Sequence, residues 1–124
     1  MVFALGEGLE VKYTSQVFYV KFNDGSKAFL KYSVEGGKMT LIETYTPEQH
    51  RGKGVARLMI EKALEVASRG GLKIVPLCSY SVYYFLKNPS MRSMLAEPYN
   101  SMGDEELKRY YEERLQAEKA KKSE

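Results

Sequence analysis

The chain has 124 residues, of which 44% are hydrophobic and 28% charged, and a formal net charge of +3. This length predicts a single domain with a real core, and the mild positive charge permits an anionic partner without requiring nucleic acid. One cysteine and one histidine exclude a disulfide framework and argue against a structural zinc site, and no stretch approaches the roughly 18 consecutive apolar residues of a membrane span.

The first third of the chain predicts an antiparallel meander. Residues 1 to 8 are small and apolar with two glycines, which indicates a loose lead-in. Residues then alternate between two faces, the pattern of a strand, in three segments: Gln16–Phe22, Ala28–Val34 and Met39–Tyr45. Asp24-Gly25 and Gly36-Gly37 lie between these segments and are typical of hairpin turns, and Leu9–Tyr13 fits a further short strand.

The hydrophobic period changes after Gly52. Apolar residues between Val55 and Ala67 recur at steps of three and four, which predicts an amphipathic helix of about four turns. Gly70-Gly71 ends this helix, and the apolar segment Leu72–Leu77 predicts a buried strand. A strand, helix and strand of these lengths form a βαβ unit, so we expect the two strands to be parallel.

The last third predicts two more helices. Ser79 is placed to cap a helix that runs to about Lys87, where Asn88-Pro89 ends it. Residues 91–100 have no clear period and indicate either a short strand or a wrapping loop. Residues 104–124 begin acidic and end basic, as a helix macrodipole favours. Their apolar stripe is narrow, so this helix could dock on the body, pair with another copy or fray.

Together these elements predict an α+β fold, similar to an αβα sandwich. We expect a mixed central sheet with an N-terminal antiparallel meander, a βαβ unit and an appended C-terminal helix. The expected division is a folded domain at residues 1–100 and a charged helical extension at residues 101–124.

A glycine-containing turn joins the third strand to the first helix. Gly52 and Gly54 allow the backbone to turn tightly and to approach a ligand closely. The amides that open a helix have no internal partner, and the helix dipole adds partial positive charge there. Arg51 and Lys53 add full charges. The turn is therefore either an anion cradle or an ordinary strand-to-helix connection.

The βαβ unit predicts where a ligand would bind. Ligands of open α/β sheets bind outside the carboxyl ends of the strands. This end of the sheet brings together Glu43, the glycine turn, Cys78 and the segment from Tyr80 to Tyr84. The chain has neither a G-x-G-x-x-G pattern nor the Lys-Ser or Lys-Thr pair of a P-loop.

The motifs around this turn resemble those of a known superfamily. Gln49-His50-Arg51-Gly52-Lys53-Gly54 fits Q-x-x-G-x-G, the coenzyme A pyrophosphate motif of the GNAT-superfamily N-acetyltransferases. The residues around this motif resemble those of the small stand-alone GNAT-like acetyltransferases more closely than those of the superfamily in general. The resemblance covers roughly residues 10 to 92, and its matching runs are Thr44-Tyr45-Thr46-Pro47, Arg51 to Ala56, Pro76-Leu77-Cys78, and Tyr84 with Asn88-Pro89.

The resemblance implies acetyl-CoA as co-substrate and assigns positions that bind it. From the single cysteine and histidine we expect no metal. The coenzyme pyrophosphate would be held by the backbone of the turn and by Gln49; the turn positions are Arg51, Gly52, Lys53, Gly54, Val55 and Ala56. The backbone of Thr44 and Tyr45 would bond the pantetheine arm, and one of these amides would polarise the thioester carbonyl. Lys53, Arg57 or Lys87 would meet the nucleotide phosphates.

The resemblance also suggests catalytic groups. A protonated amine cannot attack a thioester, so a base is needed, and Glu43 is the candidate where small relatives often have histidine. Tyr84, before Tyr80 and Tyr83, is the candidate to assist the leaving thiolate. Cys78 could be a nucleophile, a thiol donor or pocket lining. A carboxylate nearby would raise the pKa of a thiol, so we favour direct transfer over an acetyl-cysteine intermediate.

Each of these residues also has a purely structural interpretation. Cys78 could be a small buried hydrophobe, and Tyr84 could pack in the core with a satisfied hydroxyl. Glu43 could face water or pair with a lysine on the neighbouring strand. His50 is expected to be exposed rather than catalytic.

The most supported function is acetyl transfer from acetyl-CoA to an unidentified amine, on a small molecule or a protein. The alternative is a coenzyme A or acetyl-CoA binding module with little activity. Lys21, Lys31 and Tyr19 hint at a nucleic-acid surface, but no matching motif is present, so we expect no nucleic-acid partner. The N-terminus lacks a signal-peptide pattern, so we expect a cytoplasmic protein without a membrane partner. A homodimer through the C-terminal helix is possible.

Overall fold

A computed structural model of the chain describes residues 9–123, so the lead-in expected at residues 1–8 lies outside the described residues. The elements are β1 Lys12–Tyr13, β2 Val17–Lys21, β3 Lys27–Glu35, β4 Lys38–Tyr45, α1 Val55–Arg69, β5 Lys73–Pro76, α2 Ser79–Lys87 and α3 Asp104–Ser123. Short 3₁₀ turns occur at Glu48–His50, Pro89–Met94 and Tyr99–Ser101.

The five strands form one mixed sheet in the order β1-β2-β3-β4-β5. The pairs from β1 to β4 are antiparallel, and β4 pairs with β5 in parallel. The predicted meander, the βαβ unit and the α+β fold class are therefore confirmed. The segment from 91 to 100 is a wrapping loop that touches β5 through one bridge between Ile74 and Leu95.

The core lies between the sheet and α1. Alternate residues of the central strands face α1, and among them Phe18, Leu30 and Leu41 are fully buried. On α1 the buried residues recur at helical spacing and include Met59 and Ala63. Burying apolar area stabilises the fold by about 25 cal/mol per Å², so this interface places α1, and the turn before it, firmly against the sheet.

The pairing between β4 and β5 ends before β4 does. The last parallel pair joins Leu41 to Pro76. The Leu41 carbonyl then accepts both the Leu77 amide at 3.1 Å and the Cys78 amide at 3.0 Å. A bulge at Ile42 also shifts the register between β3 and β4, and bulges bend and twist a strand. The remaining residues of β4, numbers 42 to 45, therefore extend beyond the end of β5.

The N-terminus of α2 is capped differently from the sequence-based prediction. Cys78 precedes the first helical residue, and no side chain within α2 provides the cap. The Ser79 amide and hydroxyl instead donate to the Glu118 carboxylate of α3, at 2.8 and 2.6 Å. The prediction that Ser79 caps the helix was wrong, because a carboxylate remote in sequence accepts these hydrogen bonds more strongly than a hydroxyl.

The C-terminal helix docks on the body of the same chain. Leu107 is completely buried within the core. The Tyr110 hydroxyl donates to the Pro76 carbonyl at 2.9 Å, and the Arg114 guanidinium donates to the Leu77 carbonyl at 2.6 Å. Of the three expectations for this helix, docking is the one observed in the described residues. A homodimer through the same helix, and a domain boundary at residue 100, stay predictions.

We expect Leu107→Ala to lower the free energy of unfolding by about 2–5 kcal/mol, because it empties a fully buried site between α3 and the core. Urea unfolding followed by circular dichroism measures this change. The control is Gln116→Ala, an exposed position on the same helix, which should change stability by less than about 0.5 kcal/mol. Equal effects of the two variants would mean that α3 is not anchored through Leu107.

Candidate active site

A cleft of about 450 Å³ opens where β4 ends and α1 begins. Its lining residues come from the end of β4, from the glycine turn, from the first residues of α1 and from α2. They are Thr44, Tyr45, Thr46, His50, Arg51, Gly52, Gly54, Val55, Ala56 and Tyr80. The structure thus brings together most of the residues that the sequence motif assigned to the coenzyme.

The turn presents the start of α1 to this cleft. Gly52 and Gly54 have φ values of 79° and 83°, a left-handed conformation that L-residues with a Cβ rarely adopt. No side chain among the described residues caps α1, and its first turn contains no acidic residue. The opening amides of α1 are therefore free of a competing side-chain acceptor, which is the arrangement that binds an anion.

The Arg51 side chain is held at the edge of the cleft by contacts with the end of β4 and the residue after it. Its Nε donates to the Thr46 carbonyl at 2.7 Å, and its guanidinium lies 5.9 Å from the centre of the Tyr45 ring. These contacts hold a positive charge beside the end of β4, where Tyr45 lines the cleft. Lys53 is exposed in the same turn but does not line the cleft.

Gln49 and His50 turn their side chains towards the β2–β3 hairpin. Gln49 Nε2 donates to Asp24 at 3.2 Å, and His50 Nε2 lies 2.9 Å from the same carboxylate oxygen. The His50 ring also stacks on Phe22 with 3.6 Å between ring centres. Hydrogen bonds, the largest from Ser26, hold the pKa of Asp24 well below its usual range. The pyrophosphate role of the Gln49 side chain stays a prediction, since that side chain does not line the cleft.

The Asp24 contacts were not predicted from the sequence. Asp24-Gly25 is a hairpin turn by local pattern, and nothing in that pattern indicates a partner at positions 49 and 50. Only the tertiary fold brings the hairpin beside the glycine turn, where the Asp24 carboxylate contacts the side chains of Gln49 and His50.

Cys78 is buried behind Thr44, with only 2% of its surface exposed. Burial is the largest influence on its thiol and raises its pKa, and the charge of Glu118 adds to this effect. Hydrogen bonds from Ser81 and Thr44 act in the opposite direction but do not outweigh burial. The thiolate, which is the nucleophilic form, is therefore disfavoured.

Two tyrosines of α2 lie one turn apart and face α1. Tyr80 lines the cleft, and burial raises its pKa. Tyr84 is buried, and its hydroxyl donates to Glu61 at 3.2 Å, while Arg57 donates to the same carboxylate at 3.1 Å. Burial and the Glu61 charge raise the pKa of Tyr84 to about 12. Tyr80 therefore reaches the cleft more directly than Tyr84, the first candidate from the sequence.

Glu43 and Lys87 lie outside the cleft lining. Glu43 is directly opposite Lys31 on β3, with 3.8 Å between its carboxylate and the lysine Nζ, and its side chain is 56% exposed. Lys31 belongs to the exposed set of β3, so Glu43 lies on the sheet face away from α1. The Lys87 ammonium lies 5.6 Å from the centre of the Tyr83 ring, beside a groove between α2 and α3.

The fold and the cleft define a class of protein with a βαβ unit whose strand-to-helix turn presents free helix amides that suit an anionic ligand. Residues 17–94 match a family model described as GCN5-related N-acetyl-transferase, which spans more than half of the 124-residue chain. The chain therefore belongs to this family, whose members in general are acetyl-CoA-dependent acetyltransferases. Helix α3 lies outside the matched residues.

The described part of the chain has no membrane-spanning helix and no metal-binding cluster. Between residues 9 and 123, no helix is both long and apolar enough to cross a membrane. Within the same range, no group of three or more His, Cys, Asp or Glu side chains converges in a way that could bind a metal ion.

We expect Cys78 in the native protein to react with iodoacetamide at pH 8 at least about tenfold more slowly than in the urea-unfolded chain, because burial hides the thiol and disfavours the thiolate. Because the native pKa is raised, the pH midpoint of alkylation should also lie higher in the folded protein. Mass spectrometry of timed, quenched samples measures both. Equal rates in the two states would contradict the burial and reopen a nucleophilic role for Cys78.

Proposed function

We propose that this protein is an acetyl-CoA-dependent N-acetyltransferase that moves the acetyl group to an amine by direct attack on the thioester. The single observation that best supports the proposal is the cleft formed by the end of β4, the two left-handed glycines and the uncapped start of α1. Family membership supports the same class of reaction, whereas the amine acceptor and the residue roles are part of the proposal.

The coenzyme pyrophosphate would bind at the start of α1. A Cβ placed on Gly52 or Gly54 would meet no heavy atom within 4 Å, so the space beside both glycines is open to a ligand. The amides of Val55 and Ala56 are among those without an intrahelical partner, and Arg51 adds a charge at the rim. Lys53, which lies in this turn, and Lys87 remain candidates for the outer phosphates.

The pantetheine arm would extend along β4 beyond Leu41. There the strand has no β5 neighbour, so the arm can occupy the place of an added strand beside Thr44 and Tyr45. The acetyl thioester would then approach the opening between β4 and α2. A backbone amide of β4 would stabilise the oxyanion that forms on the carbonyl oxygen.

Acetyl transfer requires a neutral amine. Glu43 would accept the proton from the attacking nitrogen, directly or through a water molecule, as the C–N bond forms. The tetrahedral intermediate then expels the coenzyme A thiolate as the C–S bond breaks. The Lys31 ammonium lies 3.8 Å from this carboxylate and would orient it on the acceptor side of β4.

The leaving thiolate would be stabilised by a tyrosine hydroxyl. Tyr80 lines the cleft, and Tyr84 lies behind it with its hydroxyl bonded to Glu61. A tyrosine whose pKa is raised keeps its proton near neutral pH and acts as a hydrogen-bond donor to the sulfur. Cys78 would line the back of the site, since its burial favours the neutral thiol over a nucleophilic thiolate.

The alternative function is a module that binds acetyl-CoA with little catalysis. The observation that favours it is the position of Glu43, which does not line the cleft and is paired with Lys31. The two functions differ in turnover and not in coenzyme binding, so they can be separated by measuring both.

We expect Gly54→Ala to weaken acetyl-CoA binding by at least about tenfold, because the added methyl group enters the cleft and the strained backbone shifts the α1 amides. The control is Gly37→Ala in the β3–β4 hairpin, where φ is 78° and the space beside the glycine is equally open. Both variants should lose about 1–2 kcal/mol of stability. Isothermal titration should detect the affinity loss only in the first, and equal losses in both would place the coenzyme elsewhere.

We expect Glu43→Gln to lower kcat/KM for an amine acceptor by between about a hundredfold and ten-thousandfold, because the amide cannot accept the amine proton. Saturating acetyl-CoA should raise the melting temperature of wild type and variant alike, since the coenzyme binds elsewhere. Thiol release measures turnover, and Glu35→Gln, at the exposed end of β3, is the control. A rise in melting temperature with acetyl-CoA but no thiol release from wild type would favour the binding module. Unchanged turnover in Glu43→Gln would contradict the assignment of Glu43 as the base.

A further inference from the structure

The sheet face away from α1, which we call the open face, has both apolar and basic side chains. Its half-buried residues include Val17, Tyr19 and Phe29, and its exposed residues include Lys21, Lys27 and Lys31. Together with Thr14 they line a shallow groove of about 490 Å³.

Two lysines on the open face lie opposite each other on neighbouring strands, with no neutralising carboxylate among the described residues. Lys21 is directly opposite Lys27 in the β2–β3 register, and like charges in this position destabilise a sheet. Within residues 9–121, no carboxylate lies within ion-pair distance of either ammonium, whereas Lys31 is paired with Glu43. A bound anionic group would therefore relieve a repulsion that the fold leaves in place.

The open face is continuous with the candidate active site. Phe29 is opposite Tyr45, with 5.6 Å between their ring centres, and Tyr45 also lines the coenzyme cleft. The base candidate Glu43 lies opposite Lys31 on the same face. From Lys31 to Lys27 the strand advances four residues, or roughly 13 Å.

We propose that the open face binds an acidic polypeptide acceptor, with its amine at Glu43 and its carboxylates on Lys21 and Lys27. This inference rests on the proposed function, because an amine deprotonated by Glu43 must approach over the face on which that carboxylate lies. At one end of the face the Glu43 carboxylate, shared with Lys31, would bind the ammonium form of the acceptor. At the other end Lys21 and Lys27 would attract carboxylates about four residues along an extended chain.

The charges and chemistry of the face favour a polypeptide over a nucleic acid. Glu43 lies on β4 beside the groove, opposite Lys31. Its carboxylate would repel a phosphate backbone that continued from the groove onto β4, whereas it would accept the proton of a peptide amine there. The exocyclic amines of nucleobases are also poor nucleophiles for a thioester. Tyr19 and Phe29 lie between the two charged ends and provide apolar contact for the intervening peptide residues.

The test compares two amine-bearing peptides of equal length. One has Asp and Glu at positions three to five from the amine, and the other has Asn and Gln there. We expect wild type to have a KM at least about tenfold lower for the acidic peptide, a preference that added salt weakens. K21E/K27E should abolish the preference, with the KM for acetyl-CoA unchanged. The control K62E/K108E, with one substitution on α1 and one on α3, changes the net charge by the same amount as K21E/K27E. It should retain the preference for the acidic peptide.

A second readout separates this inference from the proposed function. Fluorescence anisotropy of a labelled acidic peptide measures docking without turnover. Docking that K21E/K27E abolishes, with no transfer to any peptide, would refute the proposed function and uphold the docking face. Transfer at equal KM to both peptides would uphold the function and overturn the docking face.

Two further measurements test other occupants of the open face. Tighter binding of a single-stranded oligonucleotide than of the acidic peptide would overturn the inference in favour of nucleic acid. A dimer in size-exclusion chromatography that K21E/K27E converts to monomer would overturn it in favour of a second copy of this chain.

Discussion

The architecture of the site depends on one carbonyl group, that of Leu41. It accepts hydrogen bonds from two successive amides, Leu77 and Cys78, and this is where the parallel pairing of β4 with β5 ends. Beyond it β4 stays paired with β3 but no longer with β5, and the chain after β5 turns into α2. The bulge at Ile42 bends β4 at the same point. Backbone hydrogen-bonding groups on one edge of β4 are thereby left available next to the start of α1, and a ligand can occupy the place of the missing strand.

The C-terminal helix fixes the opposite side of this opening. Tyr110, Arg114 and Glu118 recur every four residues, so they lie on one face of α3. They bond in turn to the carbonyls of Pro76 and Leu77 and to Ser79, on both sides of Cys78. The residues that match the family end at 94, so this chain fixes the end of β5 with a helix outside the matched region. The same contacts bring a carboxylate close to Cys78, and its charge adds to burial, the larger influence, in raising the pKa of the thiol.

Charge divides the site into two sides. The coenzyme side has helix amides, Arg51 and no acidic residue in the first turn of α1, which suits a pyrophosphate. The other side has Glu43, whose carboxylate suits a cationic amine before it loses its proton. Under the proposed function, the two substrates would have opposite charge and would meet at β4 from opposite faces of the sheet. Direct transfer needs no group between them, which agrees with the buried state of Cys78.

Strand and helix positions could be predicted from the sequence alone, because hydrophobic period, paired glycines and helix-terminal charges are local properties. The glycine turn and the prediction that its amides suit an anion followed from the same local chemistry, and the motif around it led to the family. The sequence could not predict that Asp24 anchors Gln49 and His50, that Glu118 caps α2, that Tyr80 reaches the cleft ahead of Tyr84, or that Glu43 faces away from the cleft. The first three depend on groups that are 23 or more residues apart in sequence, and the orientation of Glu43 depends on the bulge at Ile42, which changes which way that side chain points. Only packing in three dimensions decides such contacts, since no local pattern specifies the partner.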